Sequence, residues 1–123
     1  MDLRPESPSS DDTRVSTPNE ASSFITINIL SMDDAIREHQ SKDGNKQIAW
    51  HSFKYHSGTN LEAKYWVGYY YYYHGEDIPE LREIGEKERK KIAIDIFKET
   101  TEKGNLSARK EYGRYLLQHE QNF

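Results

Sequence analysis

The sequence predicts an all-α protein, a short helix-turn-helix solenoid of about five helices preceded by a disordered tail. Three observations lead to this prediction. The composition changes near residue 24, two stretches of the chain resemble each other, and apolar residues recur at helical spacing. No cysteine is present among the 123 residues. This absence excludes a disulfide scaffold, a thiolate zinc site and a thiol nucleophile.

The tail, residues 1–23, is rich in Ser and Pro and carries five acidic and two basic side chains. All fifteen aromatic residues lie after it. Such a segment buries too little apolar area to offset its chain entropy, and we predict that it is disordered. No apolar stretch of about 7–15 residues follows the start, so we expect no signal peptide and an intracellular, cytoplasmic location.

The lead segment, residues 24–44, is expected to contain the first helix. Apolar and polar residues alternate over 24–30, which fits either a strand or an extended approach to the helix. Ser31 followed by Asp34 resembles a capping box, so we predict a helix over about 32–41. The Lys-Asp-Gly breaker at 42–44 then ends it.

An internal repeat occupies the rest of the chain, residues 45–119. Residues 46–54 align with 90–98, and residues 60–70 align with 105–115, with ten identities in twenty aligned positions. The offset is 44 residues, then 45 after one gap. Each period holds two helix-length segments with a glycine between them, which is typical of a helical repeat. The predicted helices span about 45–57, 60–74, 87–102 and 105–119.

One segment of the repeat has conflicting signals. Residues 65–73 are rich in Tyr and would favour a strand if taken alone. The matching segment of the second copy, 110–117, has the composition of a helix, and we therefore predict both as helical. Gly68 and Gly113 occupy the same place in the two copies. Because mid-helix glycine costs about 1 kcal/mol relative to alanine, both positions predict close approach of a neighbouring helix.

The connector between the copies, residues 75–88, carries an acidic run that we interpret as solvated surface. Pro79 favours a short helix over 79–84, because proline suits the first turn of a helix. Gly85 is expected to end that helix.

Over about residues 33–118, and chiefly in the two repeat copies, the chain resembles the Sel-one-like repeat family, the α/α solenoid relatives of tetratricopeptide repeats. The first helix of the family reads roughly A-x-x-x-L-G-x-x-Y, and the second roughly K-A-x-x-W/F-x-K-A-A-x-x-G. The pair Thr100-Thr101 and a longer connector depart from this pattern. Parts of the chain look like a fungal branch of the family, in which such repeats often follow a kinase-like domain. The matching positions are Ala63, Val67, Gly68, Tyr71, Ala93, Ile96, Phe97, Gly104, Ala108, Tyr112, Gly113 and Leu116.

The resemblance implies a non-enzymatic scaffold or adaptor that binds other proteins or peptides, in signalling. The alternative is a regulatory appendage or fragment of a kinase-like multidomain protein. The chain itself has no Gly-rich loop and no catalytic H-R-D or D-F-G motif, so it is not expected to be the kinase.

No catalytic, cofactor-binding or metal-binding residue is predicted. The five His residues do not form an H-E-x-x-H array, and the S-x-x-K match at Ser107–Lys110 lacks its companion motifs. A net charge of −4 argues against nucleic acid as a partner. No apolar run approaches the roughly 18 residues of a membrane span, so no membrane contact is expected.

The aromatic run provides the sharpest candidate site. Trp66, Tyr69 and Tyr73 form a stripe beside the predicted core face of their helix. A helix that is apolar nearly all round is normally buried by neighbours, which favours a core role. Tyr and Trp also make good binding hot spots, which favours a concave groove for a peptide. Both interpretations remain open at this point.

The last predicted helix has no following partner, which leaves Tyr112, Tyr115, Leu116 and Leu117 partly bare. Solenoids usually need polar caps and about three repeats for stability. We therefore expect either homodimer contact through this C-terminal helix or a longer array of which this chain is a fragment.

Overall fold

The structure, a computed structural model, describes residues 29–120. These residues form six helices and no strand, so the all-α solenoid is confirmed. The tail 1–23 and the alternating segment up to residue 28 lie outside the described residues. The helices are α1 (Met32–Gln40), α2 (Lys46–His56), α3 (Leu61–Tyr73), α4 (Pro79–Arg82), α5 (Glu86–Glu102) and α6 (Leu106–Glu120).

Side-chain caps explain where several helices begin. Asn60 accepts a hydrogen bond from the backbone N–H of Ala63 at 3.0 Å, and Asn105 does the same for Ala108 at 2.7 Å. Each cap satisfies a backbone donor that has no partner within its helix. Ser31 and Asn45 cap α1 and α2 in the same way. The repeat therefore preserves the start of α3 in its second copy, as the start of α6.

The long helices pack against one another in chain order, α1 on α2, α2 on α3, α3 on α5 and α5 on α6. The helix α3 also touches α6, and His39 of α1 reaches the rings of α3. The helix α3 is therefore central in the described part of the chain, because it contacts α1, α2, α5 and α6.

Two apolar cores result from this order, and α3 contributes to both. Trp50, Phe53 and Tyr70 are fully buried in the first core, between α2 and α3. Tyr65 and Phe97 lie in the second, between α3 and α5. Because α3 is covered on two opposite sides, its sequence is apolar nearly all round. Burial on both sides explains why a Tyr-rich segment is helical despite its β propensity.

The repeat signature has different surroundings at its two mid-helix glycines. A Cβ atom built on Gly68 would lie 2.8 Å from Cγ2 of Ile96 and 3.0 Å from Cε1 of Phe97. Apart from its immediate neighbours in α6, a Cβ atom built on Gly113 would meet no atom of residues 29–120 within 4 Å. The predicted close approach is therefore confirmed at Gly68 and wrong at Gly113, because among the described residues no helix follows α6 as α5 follows α3.

The other signature residues are structural. Ala63, Ala93 and Ala108 are fully inaccessible to solvent, and Phe97 is 1% exposed. Gly104 has φ of +97°, a left-handed conformation that glycine adopts without a steric penalty. It turns the chain between α5 and α6.

The connector is not the wholly solvated segment that its acidic run predicts. Ile78 and Leu81 are each 1% exposed in the first core, although the acidic side chains around them face solvent. Arg89 of α5 is buried and donates hydrogen bonds to the backbone carbonyls of Leu81 and Ile84, at 3.1 and 2.6 Å. This arginine therefore ties the connector to α5.

The short helix of the connector is also shorter than predicted. It ends at Arg82 instead of residue 84, and Gly85 is the N-cap of α5 and not the end of α4. Within residues 29–120, no helix combines the length and the apolar content that a membrane span requires.

Candidate peptide-binding face

The aromatic stripe consists of Trp66, Tyr69 and Tyr73 on α3. At 100° per residue these side chains lie between the side of α3 that α2 covers and the side that α5 covers. The stripe is flanked by His39 of α1 and by Glu111 of α6. The structure therefore brings the three predicted residues together, but it does not expose them equally.

Trp66 belongs largely to the first core. Its ring stacks on Phe53 of α2, with centroids 5.2 Å apart and planes 11° apart. The indole Nε1 atom is buried, and no hydrogen-bond partner for it lies within residues 29–120. A buried donor without a partner lowers stability, so the position of Trp66 is maintained by stacking.

His39, near the end of α1, packs its ring against this part of α3. Its ring centroid lies 4.9 Å from that of Trp66 and 5.7 Å from that of Tyr69, and Nδ1 shares a 2.8 Å hydrogen bond with the Tyr70 hydroxyl. Burial lowers the pKa of His39 to about 4, and the charges of His74 and Lys46 act in the same direction. The imidazole is therefore neutral at neutral pH and packs as an aromatic ring.

Tyr73 is the most exposed member of the stripe, at 42%. Its ring lies 4.7 Å from that of Tyr69, which is half-buried. Its hydroxyl donates a 2.7 Å hydrogen bond to Oε1 of Glu111, which also pairs with Arg114 at 3.2 Å. Burial and the hydrogen bond to Glu111 raise the pKa of Tyr73 to about 12. The phenol therefore remains a protonated donor at neutral pH.

The second copy of the repeat provides an internal comparison for the stripe. The positions that correspond to Trp66, Tyr69 and Tyr73, 45 residues later, are Glu111, Arg114 and Gln118. All three are polar, although α6 is the helix of the second copy that corresponds to α3. A helix at this place in the repeat can therefore carry polar residues on this side where it has fewer neighbours.

One concave surface of the structure was not predicted from the sequence. A groove of about 980 Å³ runs between the first half of α5 and the last half of α6. Lys90 lies at its edge, with Nζ 5.3 Å from the ring centroid of Tyr72. The basic residues of the groove are visible in the sequence, but the groove itself depends on how α6 is placed against α5. Its lining includes Tyr72, Lys87, Lys90, Ile94, Tyr115 and His119.

The stripe combines aromatic rings with polar groups. It presents three aromatic rings tilted against one another, a protonated hydroxyl and the ion pair of Glu111 with Arg114. Residues 29–120 contain no group of three or more His, Asp or Glu side chains arranged to hold a metal ion. Comparisons with protein-family models, with curated proteins and with solved structures gave no match to this chain.

Proposed function

We propose that the chain is a non-enzymatic scaffold that binds an extended peptide segment of another protein across the aromatic stripe of α3. One observation carries this proposal. The three stripe positions are aromatic in the first copy of the repeat and polar in the second, while both copies form the same helix. Because Trp66 is stacked on Phe53, the ring that most clearly exceeds what the core requires is that of Tyr73, which is 42% exposed.

Tyr73 is the residue that a peptide would contact most directly. Its exposed ring offers apolar area at a small cost in side-chain entropy, because tyrosine has only two rotatable bonds. The neighbouring Tyr69 widens the surface. The rings of Trp66 and His39 pack against the ring of Tyr69 and hold it in place. Aromatic surfaces of this kind suit extended segments with proline or aliphatic side chains.

The charged edge of the stripe supplies polar recognition. Arg114 is 56% exposed in its side chain, whereas Glu111 is 13% exposed and is engaged with the Tyr73 hydroxyl. A peptide carbonyl or carboxylate can therefore accept a hydrogen bond from Arg114 without displacing the existing pair. The resemblance to Sel-one-like repeats supports the same role, an adaptor in signalling.

A displayed library of random peptides, selected on the full chain, tests the proposal. We expect enrichment of peptides that bind the wild-type chain, and Tyr73→Ser should weaken their binding at least about ten-fold, as at a binding hot spot. Tyr55→Ser is the matched control, because Tyr55 is 70% exposed on α2, away from the stripe. Circular dichroism should show that both variants remain helical.

Two outcomes would contradict the proposal. One is that no peptide sequence is enriched on the wild-type chain. The other is that enriched peptides bind the folded Tyr73→Ser chain as tightly as the wild type, or lose affinity equally in Tyr55→Ser.

A further inference from the structure

We propose that the outer face of α6 is a docking site for an acidic amphipathic helix of a partner protein. This outer face consists of Leu106, Lys110, Gly113 and Leu117, with Arg109 at its edge. It lies opposite the side of α6 that packs on α5, and it is distinct from the aromatic stripe of α3. The contact between α3 and α5 shows how such a helix would be seated.

In that contact, α5 covers one side of α3. Ile96 and Phe97 of α5 pack over Gly68, where no side chain larger than hydrogen fits without displacing them. The ring of Phe97 also lies 5.9 Å from that of Tyr65. At the edge, Lys64 pairs with Glu99 at 3.1 Å. The contact therefore combines an apolar ridge over a glycine with one ion pair beside it.

The internal repeat places the same pattern on α6. Moving 45 residues along the chain converts Gly68 into Gly113 and Tyr72 into Leu117, and it converts Leu61 into Leu106. Yet, apart from its immediate neighbours in α6, no atom of the described residues lies within 4 Å of a Cβ atom built on Gly113. Leu106 and Leu117 are 70% and 61% exposed. Within the described residues, α6 therefore has the surface on which a further helix could pack, but no helix covers it.

The charges on the outer face select the partner. Arg109 occupies the place of Lys64, and Lys110 occupies the place of Tyr65. Neither side chain forms an ion pair within residues 29–120, and both are exposed. A docked helix should therefore carry an apolar ridge like Ile96 and Phe97, followed within one turn by carboxylates that face these cations.

A second copy of this chain fits the outer face less well. In an antiparallel pairing centred on Gly113, Leu117 of one chain would lie opposite Arg109 and Lys110 of the other. In a parallel pairing, the cations of the two chains would lie opposite one another. Both arrangements leave charge unmatched, because α6 offers no carboxylate on this face between Leu106 and Leu117.

The test uses the full chain and a fluorescently labelled, end-capped synthetic peptide with the sequence of residues 92–102, which contains the ridge and Glu99 and carries three carboxylates against one lysine. We expect saturable binding by fluorescence anisotropy. Gly113→Met should weaken this binding at least about ten-fold, because the methionine side chain would occupy the space over residue 113 that the apolar ridge of the peptide needs. The empty space around Gly113 lets the variant fold. Lys98→Met, on an exposed part of α5, is the matched control and should not change the binding.

A charge exchange makes the test specific. Arg109→Glu in the chain should weaken peptide binding about two- to five-fold, and Glu99→Lys in the peptide should restore it with that variant. Tyr73→Ser should leave the binding unchanged, which separates this site from the aromatic stripe. Absence of saturable binding up to about 1 mM peptide would overturn the proposal. So would equal binding by Gly113→Met, or a dimer of the chain alone that Gly113→Met dissociates.

Discussion

The helices α3 and α6 are the same element of the repeat in two different surroundings. Each begins at a capping Asn, carries a buried Ala three residues later and has Gly at the same mid-helix position. The helix α3 lies between α2 and α5, whereas α6 packs mainly on α5. The comparison teaches that a shared sequence pattern specifies the helix and its inner side, while the neighbours decide what its outer side does.

The largest expected difference concerns Tyr70 and Tyr115, which occupy equivalent positions. Tyr70 is fully buried and hydrogen-bonded to His39, whereas Tyr115 is half-buried. We expect Tyr70→Ala to lower the free energy of unfolding by about 3–5 kcal/mol, and Tyr115→Ala by about 1 kcal/mol. Urea denaturation followed by circular dichroism measures both. Equal losses would show that α6 is covered as completely as α3.

The two glycines should respond to alanine with opposite signs. Gly68→Ala would force Ile96 and Phe97 apart, and we expect a loss of about 1–3 kcal/mol. Gly113→Ala adds a methyl group in open space and improves helix propensity, so we expect a gain of up to about 1 kcal/mol. Thermal unfolding of the two variants gives the signs directly. A stabilised Gly68→Ala would contradict the packing of α5 on α3.

The two capping asparagines should differ more modestly. Asn105 is 8% exposed and also donates a 2.8 Å hydrogen bond to Glu62, so its loss leaves buried groups without partners. Asn60 only caps its helix. We expect Asn105→Ala to lower the free energy of unfolding by about 2 kcal/mol and Asn60→Ala by about 1 kcal/mol. Asn105→Asp, which retains the cap, distinguishes the capping contribution from the bond to Glu62.

The smallest expected effect depends on pH and is confined to the side of α3 that meets α1. The pKa of His39 is 6.5 in an unfolded chain and about 4 in the fold. Between these values the unfolded chain binds more protons, so stability decreases as the pH falls from about 6.5 to about 4. Because His39 is only partly buried, we expect a contribution of about 1 kcal/mol. His39→Phe should remove this part of the pH dependence in urea titrations, and an unchanged profile would assign it to other groups.

Most of the secondary structure could be predicted from the sequence. The capping box at Ser31 and the internal repeat placed five helices within a few residues of their observed bounds, including the Tyr-rich α3. The candidate site was predicted less completely. Trp66, Tyr69 and Tyr73 do share one side of α3, but periodicity cannot show that Trp66 is stacked on Phe53 while Tyr73 is 42% exposed. The exposure of a side chain on α3 depends on which helices pack nearby, and the sequence of α3 alone does not specify those helices.

Two features had signals that were too weak to interpret from the sequence. Arg89 lies in a basic run typical of a solvated surface, yet it is buried and binds two carbonyls of the connector. Its role depends on a loop that returns to α5. Gly113 matches Gly68 in sequence, but only Gly68 is covered.

The sequence by itself determined the helices and their caps, because these depend on hydrogen bonds and periodicities within a few residues of one another. Only the tertiary structure decided which side of each helix is covered. Coverage depends on contacts between residues some 30 to 40 positions apart, such as Gly68 with Phe97 and Tyr73 with Glu111. The difference between α3 and α6, and the two binding surfaces that we propose, follow from those contacts.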